Sequence, residues 1–269
     1  RSPDSAHLIR IAADGYQYAT SQPIQDSEKE VVLDFALKKG KEITGIVYSP
    51  DNKPLPDVEV AVSTPTTTVY IQNGKASTNQ SFLRTQTDAE GRYRFVPPPE
   101  PYLVVVAHPS GCAEVRAKDL VVSTKIQLAK WGRIEGALRV GKKPCINQSV
   151  CIQVVRGRDD EDGRTWLSML SCSEQGKTDA QGHFVFERVL PGSMIMDWGA
   201  DPESGAGGGP RIFVEVKPGE TTRVDVGGNG RPVIGHVLHP KDVGKIDWKN
   251  ERTTCMLKPN SSETPAPKG

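Results

Sequence analysis

The chain repeats one ordered set of sequence signals, and no other feature restricts its possible folds as strongly. Gly136 follows Gly45 by 91 residues, and Asp179 follows Asp88 by the same 91 residues. In both copies the glycine precedes the aspartate by 43 residues. Two landmarks that keep their spacing without adjustment indicate tandem modules of about 90 residues each.

Both ends of the chain extend this pattern. Segment 8–37 resembles the closing strands of a module, and segment 232–238 resembles an opening strand. The chain begins without an initiator methionine, and we interpret it as a fragment of a longer protein. The predicted organisation is the C-terminal part of a preceding β-sandwich repeat at 1–39, complete repeats at 40–129 and 130–228, and the start of a further repeat plus a linker at 229–269.

Each module is predicted to consist of short β-strands joined by tight turns. Val58, Val60 and Val62 alternate with Glu59 and Ala61, a period of two that is typical of a strand with one buried face. The 26 glycines and 21 prolines favour many turns, and the 6% of aromatic residues favours several thin cores. The sequence therefore predicts an all-β protein of tandem Ig-like or prealbumin-like β-sandwich modules.

These landmarks resemble those of the carboxypeptidase regulatory-like domain family, a transthyretin-like (prealbumin-like) β-sandwich related to starch-binding-like folds. The matching pieces are the opening strands at 43–45 and 134–136, the Lys-Pro turns at 53–54 and 143–144, and the hairpins at 87–95 and 178–186. The resemblance covers residues 40–230. It implies accessory modules of enzymes, receptors or surface proteins, and a periplasmic, cell-surface or secreted location.

The charge balance gives no support for two classes of partner. The chain has 34 basic and 33 acidic residues, without a basic stripe that would suit nucleic acid or an anionic membrane. No apolar run approaches the roughly 20 residues of a membrane-spanning helix. We expect a protein or glycan partner, attached domains in the parent protein, no nucleic acid and no membrane insertion by this segment.

No residue pattern points to catalysis, a cofactor or a metal, and we predict none of these. Asp88 and Asp179 recur three residues before a glycine, which favours a turn-capping role over metal ligation. The acidic run 158–163 lacks the alternating ligand spacing of a calcium loop, which favours a solvated hairpin tip. His183, His236 and His239 lack the further ligands of a zinc site.

The five cysteines are odd in number and irregular in spacing, unlike a disulfide framework or a zinc pattern. Cys145 and Cys151 are the closest pair in sequence and could bridge in an oxidising compartment. Buried or half-buried thiols are the favoured interpretation, because cysteine packs as a small hydrophobe.

Aromatic side chains offer the one candidate ligand site. Core filling is the favoured role for each of them, although flat faces also stack on sugars. Trp166 lies in a polar insertion and is the candidate for ligand stacking. The other aromatic residues considered for stacking are Trp131, Trp198, Trp248, Tyr16 and Tyr18.

Three functional hypotheses follow. The first is a non-enzymatic array that acts as a structural spacer and interaction segment of a larger bacterial envelope or secreted protein. The second is a carbohydrate-binding module that uses exposed aromatic residues. The third is a regulatory accessory region of an attached enzyme, for example a thioredoxin-like or peptidase domain.

Overall fold

The computed structural model describes residues 6–25, 30–154, 170–199 and 211–227. All of these lie in one unit, Arg1–Gly230. The N-terminal segment contains four two-residue strands that pair antiparallel, β1 with β4 and β2 with β3. Their bounds are Ala6–His7 (β1), Arg10–Ile11 (β2), Ala19–Thr20 (β3) and Ile24–Gln25 (β4).

Residues 43–127 form a first set of strands with one short helix. Two sheets face each other, one in the order β10-β5-β13 and the other in the order β12-β11-β6-β9. A hairpin, β7–β8, belongs to neither of these two sheets. The strands are β5 Ile43–Tyr48, β6 Glu59–Ser63, β7 Val69–Gln72, β8 Lys75–Ser77, β9 Arg84–Gln86, β10 Arg92–Phe95, β11 Leu103–His108, β12 Gly111–Arg116 and β13 Lys125–Gln127; a 3-10 turn spans Ser81–Leu83 and helix α1 spans Ala117–Val122.

Residues 132–226 form a second set in which the same pairings recur. Strand β14 pairs with β18 and β21, as β5 pairs with β10 and β13, and the other sheet has the order β20-β19-β16-β17. In both sets the first and last strands are parallel and the remaining pairs are antiparallel. The strands are β14 Gly132–Val140, β15 Lys143–Pro144, β16 Ser149–Val154, β17 Leu170–Lys177, β18 His183–Val189, β19 Gly192–Trp198, β20 Ile212–Val216 and β21 Thr221–Val226.

Each set of strands surrounds its own apolar core, and the predicted all-β sandwich fold is confirmed. Alternate residues of the strands point inward, as the period of two requires. The first core includes Val47, Val60, Val62, Tyr93, Val104, Val106 and Ile126. The second core includes Ile134, Ile152, Phe184, Phe186, Met194, Met196 and Val216.

The repeated glycines stand where two elements approach too closely for a side chain. Gly45 lies opposite Tyr93 across β5 and β10, and Gly136 lies opposite Phe184 across β14 and β18. A Cβ atom at Gly45 would lie 2.0 Å from the carbonyl oxygen of Thr124, and one at Gly136 would lie 1.8 Å from the corresponding backbone oxygen on β21. The 91-residue interval therefore repeats a steric requirement of the sandwich.

We predict that Gly45→Ala and Gly136→Ala each lower the free energy of unfolding by about 3 kcal/mol, because the added methyl group forces the parallel strand away. Urea denaturation followed by circular dichroism measures the loss. Gly141→Asn is the control, since nothing lies within 4 Å of a Cβ there and Asn tolerates the φ of 57°. Losses no larger than the control's would contradict the steric explanation.

Candidate functional site

The largest feature that the two predicted repeats share is a third apolar cluster, which we call the junction cluster. Leu103, Val105 and Ala107 of β11 point into it, while Val104 and Val106 of the same strand point into the first core. Both faces of β11 are therefore buried. The buried members of the junction cluster are Ala61, Val69, Ile71, Ala76, Leu103, Val105, Ala107, Cys112, Leu170, Cys172 and Leu190, with Trp131 and Val154 packed against them.

The β7–β8 hairpin covers the outer face of β6 and β11 and also joins the two sets of strands. Strand β7 runs parallel to β17, with Val69 opposite Leu170 and Ile71 opposite Cys172. The sheet of the second set is thereby extended to six strands in the order β20-β19-β16-β17-β7-β8. A continuous backbone hydrogen-bonded sheet thus crosses from one predicted repeat to the next.

The turn of this hairpin has a clear local cause. Asn73 and Gly74 have φ values of 52° and 72°, the conformation of a type I′ turn, which Asn-Gly adopts readily. The hairpin was not predicted, although Asn-Gly between two β-type runs is a strong hairpin signal. The backbone N–H of Asn73 donates to the Glu174 carboxylate at 2.9 Å, and the Arg188 guanidinium donates to the Asn73 carbonyl at 3.5 Å.

The connection from β13 to β14 is fixed to the first set of strands. Ala129 and Cys112 exchange two backbone hydrogen bonds of 2.8 and 2.9 Å. The indole N–H of Trp131 donates to the carbonyl oxygen of His108 at 2.8 Å, while its ring packs against the junction cluster. Trp131 therefore fills the junction, and two residues of this connection are hydrogen-bonded to the first set of strands.

The N-terminal segment contacts the first set of strands through Tyr18. Its ring is buried in the first core, 5.2 Å from the ring of Phe82, and the Arg10 guanidinium lies 4.7 Å above its centre. The Tyr18 hydroxyl donates to the Glu100 carboxylate. Burial, together with this hydrogen bond, raises the pKa of the Tyr18 phenol well above its usual value. Tyr18 is thus a packing residue, whereas Tyr16 is largely exposed beside Lys39.

The contact of the N-terminal segment with the first sandwich and the contact of the β7–β8 hairpin with the second sandwich involve positions that are 91 residues apart. The Gln17 side-chain amide donates to the carbonyl oxygen of Pro97 at 3.3 Å. Arg188, which contacts the hairpin turn at Asn73, follows Pro97 by 91 residues. Each sandwich therefore contacts the preceding part of the chain near the C-terminal end of β10 or β18.

The repeated aspartates cap turns, as predicted. One carboxylate oxygen of Asp88 accepts hydrogen bonds from the backbone N–H groups of Glu90 and Arg92 at 3.0 and 2.8 Å. Asp179 accepts from Gln181 and His183 at 2.8 Å each. The backbone hydrogen bond from His183 holds the pKa of the Asp179 carboxyl below its usual value.

The threonine before each aspartate has a structural role that was not predicted. The Thr87 hydroxyl accepts from the Val58 N–H at 2.9 Å and donates to the Leu55 carbonyl at 2.7 Å. The Thr178 hydroxyl makes the equivalent pair of bonds with the Gln148 N–H and the Cys145 carbonyl. Both threonines are buried, and each joins its hairpin to the turn that precedes β6 or β16.

Other candidate residues are dispersed. Cys145 packs against the second core, whereas Cys151 lies beside Ser173 with 3.6 Å between Sγ and Oγ, and both are thiols. Trp198 is half-buried against the second core. Among the described residues, no three His, Cys, Asp or Glu side chains are grouped as a metal site would require. Trp166, the run 158–163, His236, His239, Trp248 and Cys255 lie outside the described residues.

No family model and no curated protein matches the chain. Among solved structures, it is similar to a streptococcal ancillary pilin at 14% identity, over 85% of this chain and 76% of the pilin, with a TM-score of 0.32. It is similar to the minor pilin of Streptococcus agalactiae at 13% identity, over 74% of this chain and 99% of that pilin, with a TM-score of 0.34. It is similar to the shaft pilin of Lactobacillus rhamnosus GG at 10% identity, over 72% of this chain and 100% of that pilin, with a TM-score of 0.25. Within the described ranges, no helix is long and apolar enough to span a membrane.

We predict that Thr87→Val and Thr178→Val each lower the free energy of unfolding by about 2 kcal/mol, because the isosteric change removes both hydrogen bonds of a buried hydroxyl. Chemical denaturation measures the change. Thr221→Val, at an exposed position of β21, is the matched control. Equal stability of Thr178→Val and the control would contradict the proposed role of the hydroxyl.

Proposed function

We propose that the chain is a non-enzymatic tandem array of carboxypeptidase regulatory-like β-sandwiches. It acts as a stiff structural spacer, with outer faces available for interaction, in a larger bacterial envelope or secreted protein. In this proposal 40–129 and 130–228 are complete repeats, 1–39 ends a preceding repeat and 229–269 starts a further one. The observation that carries the proposal is the junction cluster, which both repeats build and neither can bury alone.

Stiffness follows from the chemistry of the junction. Neighbouring domains normally move relative to each other unless their interface is large and hydrophobic. Separation here would expose Ile71, Val105 and Leu170 to water and break the parallel pairing of β7 with β17. Exposing each large apolar side chain costs about 2 kcal/mol, so the separated state is disfavoured by several kcal/mol.

A regular spacing of repeats is supported by the equivalent contacts at Pro97 and Arg188. When each sandwich contacts its predecessor near the end of the same strand, successive repeats are related by a similar displacement. Such nearest-neighbour contacts are characteristic of solenoid and repeat proteins, whose stability is a sum of repeat and interface contributions. The array is then an extended element whose length grows with the number of repeats.

We predict that Ile71→Asp uncouples the two repeats, because a carboxylate in the junction cluster cannot be desolvated without a partner. The unmodified chain should unfold in urea in one transition, whereas Ile71→Asp should show two. Small-angle X-ray scattering of the variant in dilute buffer should show a broader distribution of distances between the repeats.

The control is Gln72→Asp, which adds the same charge to the same strand on its exposed face. This variant should keep the single transition and the scattering profile of the unmodified chain. A chain whose two repeats already unfold independently, or an Ile71→Asp variant that scatters like the control, would refute a stiff junction. Both measurements are made in reducing buffer, so that cysteine oxidation does not contribute.

The carbohydrate-binding alternative is favoured by one surface. Tyr70 is half-exposed beside a groove of about 390 Å³ on the outer face of the six-stranded sheet, lined by both repeats. Gln72, Ser171 and Ser173 line the same groove and offer uncharged hydrogen-bonding groups, and Glu174 adds one carboxylate. An exposed tyrosine ring among hydroxyls and amides suits the apolar face and hydroxyl rim of a neutral sugar.

We predict that Tyr70→Ala weakens any binding of neutral oligosaccharides by about tenfold, the equivalent of one lost stacking contact. Isothermal titration with glycans identified on an array measures this change. Phe213→Ala is the control, because Phe213 is also an exposed aromatic residue and lies on the edge strand at the other end of the same sheet. A lack of binding at millimolar glycan, or equal loss in both variants, would exclude this site.

A further inference from the structure

Strand β20 forms one edge of the six-stranded sheet. It pairs with β19, and no other described strand pairs with it. Its residues alternate in direction, since Val214 and Val216 are buried in the second core whereas Phe213 and Glu215 face outward. Phe213 is 75% exposed. An edge strand with open backbone groups and an exposed apolar side chain is a template for pairing with another strand.

The hydrogen bonds of β19 show which backbone groups of β20 face the open edge. The N–H of Gly199 donates to the carbonyl oxygen of Ser149, so this residue directs its backbone groups toward β16. Because the direction alternates along a strand, Met194, five residues earlier, directs its backbone groups toward β20. Val214 lies opposite Met194 and bonds to β19. Phe213 therefore presents its N–H and carbonyl to the open edge.

A contact from outside the sheet agrees with this assignment. The hydroxyl of Thr222, on β21, donates to the carbonyl oxygen of Glu215 at 3.2 Å. Strand β21 belongs to the other sheet of the sandwich, so this carbonyl points away from β19. Its oxygen has a second lone pair that can accept a further hydrogen bond. The open edge thus offers the backbone groups of Phe213 and of its neighbours two positions away, Arg211 and Glu215.

The corresponding edge of the first repeat is built differently. Arg116 of β12 lies opposite Leu103, as Phe213 of β20 lies opposite Ile195. Strand β12 ends at Arg116 and helix α1 begins at the next residue, whereas β20 continues past Phe213 to Val216. The open edge with an outward aromatic residue is therefore a property of the second repeat.

The residues along this edge favour one antiparallel register with a second copy of the strand. In a pairing centred on Phe213, the two phenyl rings are opposite each other, and Arg211 of each copy lies opposite Glu215 of the other. A centre at Glu215 would place two carboxylates opposite each other, and a centre at Val214 would place Arg211 opposite Lys217. Of these three registers, the first alone combines an aromatic pair with opposite charges.

We propose that β20 is a self-association edge, through which the second repeats of two copies of this chain pair antiparallel about Phe213. The six-stranded sheets of the two copies then form one continuous sheet across a two-fold axis, as in an isologous interface. The charge complementarity of Arg211 with Glu215 favours a second copy over an unrelated strand. This inference goes beyond the spacer role, because a spacer can separate its neighbours without pairing side by side.

Sedimentation velocity of the full chain over a range of concentrations, in reducing buffer, tests the proposal. One strand pair buries less surface than a standard stable interface, so a dimer with a dissociation constant between roughly 1 µM and 1 mM is expected. Phe213→Ala should weaken self-association by about tenfold, because the aromatic pair at the two-fold axis is lost. Tyr70→Ala is the matched control and should not change it, since Tyr70 is an exposed aromatic residue near the other end of the same sheet.

Charge reversal tests the register. Arg211→Glu and Glu215→Arg should each weaken self-association by about tenfold, because each change places like charges opposite each other at two symmetric positions. An equimolar mixture of these two variants should associate as tightly as the unmodified chain, since every such pair between the two variants is oppositely charged. Ser193→Ala is the control for Glu215, because it removes the hydrogen bond from the Ser193 hydroxyl at 2.7 Å without changing the charge of the edge.

The three substituted side chains are exposed, so the variants should keep the circular dichroism spectrum of the unmodified chain. A chain that stays monomeric at about 1 mM would overturn the proposal. A dimer that is insensitive to Phe213→Ala, or a mixture of the charge variants that fails to associate, would also overturn it. Because β20 lies within the second repeat, Ile71→Asp should still dimerise, so the failure of this proposal and the failure of the stiff junction are distinguishable.

Discussion

Strand β11 has no solvent-exposed face between Leu103 and Ala107. Val104 and Val106 complete the first core, so the outward residues Leu103, Val105 and Ala107 require a separate cover. The β7–β8 hairpin and strand β17 provide it, and the second repeat is held in place by the same contacts. Burial of one strand on both faces therefore determines the fold of the first repeat and the position of the second.

The two repeats share strand pairings but differ in what covers the equivalent sheet face. Leu103 pairs with Ser63 in the first repeat, and the equivalent pair in the second is Ile195 with Gln153. Ser63 is fully buried, whereas Gln153 is exposed. A polar amide at this position removes the need for a cover, because it can hydrogen-bond to water. One cross-strand pair thus distinguishes a face that binds the next repeat from a face that remains at the surface.

Local requirements of the backbone explain which parts of the fold could be predicted from sequence. Gly45, Asp88 and their equivalents 91 residues later each satisfy a steric or hydrogen-bonding need of the nearby chain, so their spacing is visible without a structure. The pairing of Val69 with Leu170 spans about 100 residues and has no local signature. The unbroken apolar run of β11 was the available signal for two-sided burial, since a strand with one buried face alternates.

Residues that repeat specify the sandwich, and residues that do not repeat specify how sandwiches join. Trp131 packs in the junction, but the residue 91 positions earlier is Gly40, where a Cβ atom would lie 2.1 Å from the Val96 side chain. A tryptophan cannot fit there, so the contact between the N-terminal segment and the first repeat must use other residues, and Tyr18 with Phe82 serves in its place. The two contacts therefore differ in the residues that form them. Placing the tryptophan of the second contact at position 40 would put a bulky side chain where only glycine fits.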